Sequence, residues 1–281
     1  MLAPIADKPN AHPRLLAMAC FIASQDGVVV LDGKARCERA LQAAPDAVEP
    51  ALGAVRFAVR TGDVDAEERA FIEVGARLTR STGDPQAMAM VADVAAWRGR
   101  YTLAEDAIAE ASSSTAALER MRSEVAVQRS QRGIKRGAVA AKDEPALAAA
   151  VLALERADDV GAARKSVDEA LARFGDVAGL YAAKCGLLWR VHARAEADKA
   201  CARALALDDG ASVAHIYTGI LAEERGNHDR AQAEVERALV LDPETHRTWI
   251  LMRDILLRAN DKHGLAALNA RYHDRFGADL H

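Results

Sequence analysis

Apolar positions along this chain recur at steps of three and four over long stretches, and strict alternation is nearly absent. That spacing lays one apolar stripe along a helix, so the chain reads as a succession of amphipathic helices. The lone β-branched run, Val28–Val30, has no second run to pair with and is expected to be the turn between the first two helices. Helix punctuation recurs as well. Acid–proline pairs stand before several apolar stretches, at Glu49-Pro50, Asp84-Pro85, Glu144-Pro145 and Asp242-Pro243. Proline suits a first helical turn, where its missing N–H costs nothing, and the acid favours the positive helix end. The tetrapeptide Thr102–Glu105 has the form of a capping box opening a second helix.

The small residues carry a longer period. In "ERGNHDRAQAEVERALVLDPE" (Glu224–Glu244), Ala231, Val235 and Ala238 follow Gly226 and precede Pro243. Moving 34 residues upstream, Ala197, Cys201 and Ala204 fill the same roles, with Tyr181 and Cys185 standing where His215 and Gly219 stand. A further 34 upstream, Leu147, Val151, Ala163, Val167 and Ala170 fill that register, and 34 downstream of His215 comes Trp249.

This register resembles the tetratricopeptide repeat, a helix-turn-helix unit of 34 residues with small residues at the helix–helix seam. The stretch His215–Pro243 matches it best, carrying Gly219, Gly226, Ala231, Ala238 and Pro243, although bulkier apolar residues are usual at His215, Thr218 and Ala222. Residues 85–111 keep the frame through Ala92, Gly99, Ala104 and Ala111, and residues 14–45 keep it through Cys20, Gly33, Cys37 and Ala40. Residues 48–81 keep Gly62 but place Glu67 where a small residue belongs. The expected fold is all-α, an α-solenoid of about seven such hairpins, one irregular. The expected organisation is an N-terminal extension (1–13), a first array (14–116), an irregular basic helix or joint (117–143), a second array (144–276) and a short tail (277–281). A continuous superhelix with one distorted unit is the other reading of the same frame break.

The resemblance implies a concave groove lined by one side of the first helices. In the second array that side reads Ala148, Leu152, Ala182, Gly186, Trp189, Ile216, Ile220 and Ile250, with Glu155, Glu223 and Asp254 among them and Tyr217 and Leu251 adjacent. The lysine, asparagine and arginine with which the family clamps a terminal carboxylate are missing from these places. The groove therefore reads as apolar with an acidic fringe, suited to an amphipathic helix or an extended apolar segment.

Other chemistry is sparse. Arg120, Arg122, Arg129, Arg132, Lys135, Arg136 and Lys142 crowd the joint; of these Arg129, Arg132, Lys135 and Arg136 form a candidate patch for an anionic partner, the alternative being a solvated joint. No aromatic interleaves with them, so no nucleic-acid stacking platform is expected. The eight histidines form no metal-ligand spacing, and no nucleophile–base set or phosphate loop occurs, so no catalytic, cofactor or metal site is assigned. The net charge of −4 gives no general argument for nucleic acid or a membrane surface.

Half the residues are apolar, at 51%, but aromatics are only 4%, so the core is built mainly of Ala, Leu and Val. No apolar run reaches the roughly 20 residues that cross a bilayer. Leu15–Ala23 after Arg14 has the look of a short export signal, but polar residues precede it and no small-x-small cleavage site follows, so a first core helix is expected. Four cysteines, at 20, 37, 185 and 201, include no C-x-x-C pair. Buried thiols in a cytoplasmic protein are the expectation; in the family's frame each pair falls on facing helices, so two disulfides and an exported protein are the alternative. The function expected is a non-catalytic scaffold or adaptor that holds a protein segment, for complex assembly or chaperone-like work. Alternatives are a self-assembling homo-oligomer and a solenoid-based sensor or enzyme accessory subunit.

Overall fold

The structure, a computed structural model, describes residues 12, 15–16, 19–20, 33–78, 80 and 83–280. The Val28–Val30 turn, residues 1–11 of the N-terminal extension and most of Leu15–Ala23 lie outside these. Among the described residues there are fourteen bounded α-helices, one 3-10 turn (Ala141–Asp143) and no strand. The helices are α1 (Gly33–Ala43), α2 (Glu49–Thr61), α3 (Val64–Leu78), α4 (Pro85–Trp97), α5 (Tyr101–Ala109), α6 (Ala116–Arg132), α7 (Glu144–Glu155), α8 (Val160–Phe174), α9 (Ala178–Arg190), α10 (Arg194–Leu207), α11 (Ser212–Glu224), α12 (His228–Leu241), α13 (His246–Arg258) and α14 (Lys262–Phe276). The fold is that of an α-solenoid of helical hairpins. It divides into two compact units, Met1–Val125 and Ala126–His281, with the boundary inside α6.

In the second unit, α7/α8, α9/α10, α11/α12 and α13/α14 are hairpins packed in chain order. The turns of the last three repeat closely. His192, Gly226 and Asn260 adopt left-handed φ values of 59°, 74° and 55°. Each is followed by a residue whose N–H reaches back to the preceding helix: Ala193 to Leu188, Asn227 to Ala222 and Asp261 to Leu256. This closure caps the last carbonyls of each first helix. Glycine adopts that conformation freely, and Asn and His are among the side chains that tolerate it. The residue opening each second helix repeats too. Asp159, Asn227 and Asp261 accept the N–H of Ala162, Arg230 and Gly264 respectively, a side-chain N-cap at each place. Ala193, at the same place in the α9/α10 hairpin, has no such cap.

The seam inside the first three of these hairpins is built of small residues, whereas α13/α14 packs through larger ones such as Leu268 and Tyr272. Ala163, Ala197 and Ala231 are buried, as are Ala170, Ala204 and Ala238. A Cβ on Gly219 would come within 2.6 Å of Val235 Cγ2 and 3.2 Å of the Ala231 carbonyl. Cys185 and Cys201 stand one repeat upstream of Gly219 and Val235 and are joined as a disulfide, with Cα atoms 5.3 Å apart. Cys20 and Cys37 are likewise joined, at 4.6 Å. The expectation of four buried thiols is thus corrected, because the seam brings facing helices within bridging distance.

Successive first helices pack on one another, α7 on α9 and α9 on α11, whereas α8, α10 and α12 pack on their own hairpins and on the next first helix. First helices that pack on one another, with the second helices on their outer side, give the layered arrangement of a solenoid.

In the first unit, α2/α3 and α4/α5 are hairpins, and α2 packs on both α1 and α4. Glu67, the residue out of frame, is buried and takes a two-pronged hydrogen bond from Arg98, at 2.7 and 2.8 Å. The seam accommodates it by bringing a guanidinium to it. Buried Arg77 donates to the carbonyls of Leu41, Ala44 and Ala47, satisfying the C-terminal end of α1 and the turn after it. The capping box is not formed: α5 begins at Tyr101, its N-cap is Arg100, and Thr102 lies inside the helix. Burial of the Tyr101 ring draws that residue into the first turn. Of the acid–proline pairs, Asp84 caps α4 through the Ala87 N–H at 2.9 Å. Asp242 instead organises the turn before α13, accepting from the Glu244 and Thr245 N–H groups and the Thr245 hydroxyl.

Candidate docking face

The inner face of the second unit is formed by α7, α9, α11 and α13. Leu152, Trp189, Ile216, Tyr217, Ile220, Ile250 and Leu251 are half-buried there, each with part of its side chain left open to solvent. Ala182 and Gly186 are buried and serve as floor. Gly186 makes room for an aromatic: a Cβ on it would sit 2.6 Å from the Tyr217 ring. Tyr217 in turn lies 5.8 Å from the Trp189 ring, tilted by 49°. The Trp189 indole N–H donates to Glu224 at 2.9 Å, and Arg194 stacks over the indole at 5.6 Å while pairing with the same carboxylate. Trp189 and Tyr217 also rest on a core cluster that contains the Cys185–Cys201 bridge. The disulfide thus underlies the aromatic pair.

The acidic fringe expected from the sequence is neutralised from within. Glu155 pairs with Arg132 at 3.0 Å, Asp254 with Arg253 at 3.0 Å, and buried Glu223 with Arg258 at 3.2 Å and His228 at 2.8 Å. Burial pushes the Glu155 carboxyl above the usual carboxylate value, with Arg132 and Arg156 opposing it. Burial works the same way on Glu223, but hydrogen bonds from His228 and Arg258 bring it below its ordinary value. The Tyr217 hydroxyl is raised, chiefly by burial and also by Glu155, while Arg190 and Arg247 pull the other way.

The candidate basic patch does not assemble as a unit. Arg129 is buried, donating to the Ile134 carbonyl at 2.8 Å and to Glu144 at 3.1 Å, a carboxylate that is itself buried. Arg132 is held by Glu155. Lys135 and Arg136 are exposed beside a cleft of about 200 Å³ that also contains Asp176 and Asp208. The joint is therefore docked rather than solvated along its centre. Ser130 donates to the Gly210 carbonyl, Gln131 to Asp242 at 3.0 Å, and the Gly179 N–H to the Gly133 carbonyl at 2.9 Å. The last turn of α6 thereby touches the chain entering α11 and α13, and Gly133 just beyond it touches the start of α9. Gly133 and Gly179, in near contact, are the one sequence signal for it: a Cβ on Gly179 would lie 1.8 Å from the Arg132 carbonyl oxygen.

The histidines tie helices together. His215 is buried, 2.7 Å from Glu234 and 2.9 Å from the Asp209 carbonyl, and His246 is 2.7 Å from the Tyr272 hydroxyl. Among the described residues no three His, Cys, Asp or Glu side chains gather as metal ligands, and no helix is long and apolar enough to cross a membrane. No family model matches the chain, and no curated protein matches it significantly.

Proposed function

We propose that the chain is a tetratricopeptide-like scaffold that binds a segment of another protein on the inner face of its second unit, without catalysing a reaction. The observation that carries this reading is the half-open apolar strip of Trp189, Tyr217 and Ile220, on first helices that face inward. Rigid aromatic and branched side chains held part-exposed on a preformed curved face are suited to an amphipathic helix or an extended apolar segment. The 34-residue recurrence of caps, left-handed turns and seam residues supports the repeat-family reading. The test is co-purification from the native host with wild type and with Tyr217→Glu/Ile220→Glu, folding being checked by circular dichroism. A partner held by wild type and lost by the variant is expected; the same partner on both excludes this face.

The working compartment follows from the same chemistry. In place of the cytoplasmic expectation we infer an oxidising compartment, because both cysteine pairs lie at bonding distance and such bridges persist outside the reducing cytosol. Alkylation at the moment of lysis should find no free thiol; labelled cysteines would return the protein to the cytoplasm.

A further inference from the structure

The two disulfides differ in what lies over them. Cys185–Cys201 shares a cluster with buried Leu188, Ala200 and Leu221, and the Trp189 and Tyr217 side chains pack against that cluster from outside. Among the described residues the cluster around Cys20–Cys37 has only two other buried members, Leu16 and Ala40, with Ala54 and Phe57 of α2 packed against it. Cys37 also lines a cleft of about 460 Å³ between α1, α2 and α3, together with Leu41, Ala54, Phe57 and Ala58. Cys20 has no exposed surface, whereas Cys37 keeps 4%. A space of that size admits a small molecule. One bridge therefore borders an open cleft on its Cys37 side, while the other is sealed beneath aromatic rings.

From this contrast we propose that Cys20–Cys37 is a thiol-exchange site, opened by a thiol or dithiol reductant entering the cleft, and that Cys185–Cys201 is a permanent bridge. The reductant thiolate attacks Cys37 Sγ, forming a mixed disulfide there, while the old S–S bond breaks and its electron pair leaves on Cys20 Sγ. Cys20 takes up a proton, and the Pro50 carbonyl oxygen, 3.9 Å from its sulfur, accepts from the new thiol. A second reductant thiol then displaces the first from Cys37. The net exchange turns two reductant thiols into a disulfide and the bridge into two thiols. Access governs the rate of such exchange together with thiol chemistry, and a small cluster opens locally at lower cost than one packed between hairpins. Both effects favour the same bridge. Cleavage frees Leu16 and Cys20 from their covalent tie to α1 and loosens the cover over Ala54 and Phe57, while the docking face keeps its own bridge beneath it.

The test is reduction of the folded, oxidised full chain with dithiothreitol, followed by an alkylating quench and mass mapping of the four cysteines. Because it starts from purified oxidised protein, its outcome is independent of both the docking face and the compartment. Cys20 and Cys37 are expected to take label about tenfold faster than Cys185 and Cys201, a difference that disappears in urea. Ala54→Leu, which fills the cleft beside the bridge, should slow labelling of the first pair and leave the second unchanged, folding being checked by circular dichroism. Equal rates for the two pairs in the folded wild type, or faster opening of Cys185–Cys201, would overturn the proposal whether or not the variant folds. A difference that persists in urea would also overturn it, since the fold would not be its cause.

Discussion

The Tyr217 ring lies directly on Gly186, one repeat upstream and on the neighbouring first helix. A Cβ at Gly186 would stand 2.6 Å from the ring, and one at Gly219 would stand 2.6 Å from Val235 and 3.2 Å from the Ala231 backbone. The two glycines stand one position out of register, Gly186 matching Ile220 and Gly219 matching Cys185, and they answer to different neighbours. At Gly186 the obstacle is the mobile end of an aromatic side chain; at Gly219 it is a packed seam. Gly186→Ala should leave stability nearly unchanged, since helix propensity returns about 1 kcal/mol, but it should displace Tyr217 and weaken docking. Gly219→Ala should cost a net 1–3 kcal/mol, roughly. Urea unfolding of both variants checks the contrast, and equal losses would contradict it.

Ala193 is the one missing cap in a row of four. Its φ and ψ of −80° and 64° nearly match those of capped Asn227, −90° and 75°. Ala193→Asp should therefore stabilise the chain by about 1 kcal/mol, read as a rise in melting temperature. No rise would mean that the α10 entry differs from its neighbours.

The Cys185–Cys201 bridge closes a loop with a sequence separation of 16. Replacing it by Cys185→Gly/Cys201→Val imports the packing of Gly219 and Val235 without the cross-link. The loss should then be about 3 kcal/mol, the amount expected for fixing a loop of this length. A loss near zero would show that the bridge adds nothing to the seam. Because the bridge lies beneath Trp189 and Tyr217, the quenching of Trp189 fluorescence should change with it.

Glu155 sets a pH dependence. Burial raises its carboxyl above the ordinary 4.5. The folded state therefore binds the proton more tightly than the unfolded one, and the contribution is present below that value and lost as pH rises through the raised one. Glu155→Gln removes the term, so the stability of the variant relative to wild type should grow from pH 4 to pH 8. Denaturant titrations at several pH values measure it, and a difference that shrinks with pH would reverse the assignment.

The sequence made the hairpin frame legible because seam residues must be small wherever helices approach closely, as at Ala197, Ala231 and Gly219. Gly226 marked one left-handed turn, but His192 and Asn260 adopt the same conformation without a glycine, so the periodicity of the turns was partly hidden. Glu67 broke the pattern because its partner, Arg98, sits on the next hairpin, 31 residues away. Docking of α6 depends on contacts such as Gln131 with Asp242, 111 residues apart, which leave no local trace. The same holds for charge. Glu155, Glu223 and Asp254 read as an acidic fringe because their partners Arg132 and Arg258 lie 23 and 35 residues away, and only Arg253 adjoins its carboxylate in sequence.

The most direct test of the docking face is photo-crosslinking in the native host from a reactive residue placed at Ile220 or, as a control, at Glu236 on α12. A protein adduct from position 220, absent from position 236 and abolished by Tyr217→Glu, is the predicted result. Adducts that form equally from position 236, or that survive Tyr217→Glu, would contradict the account.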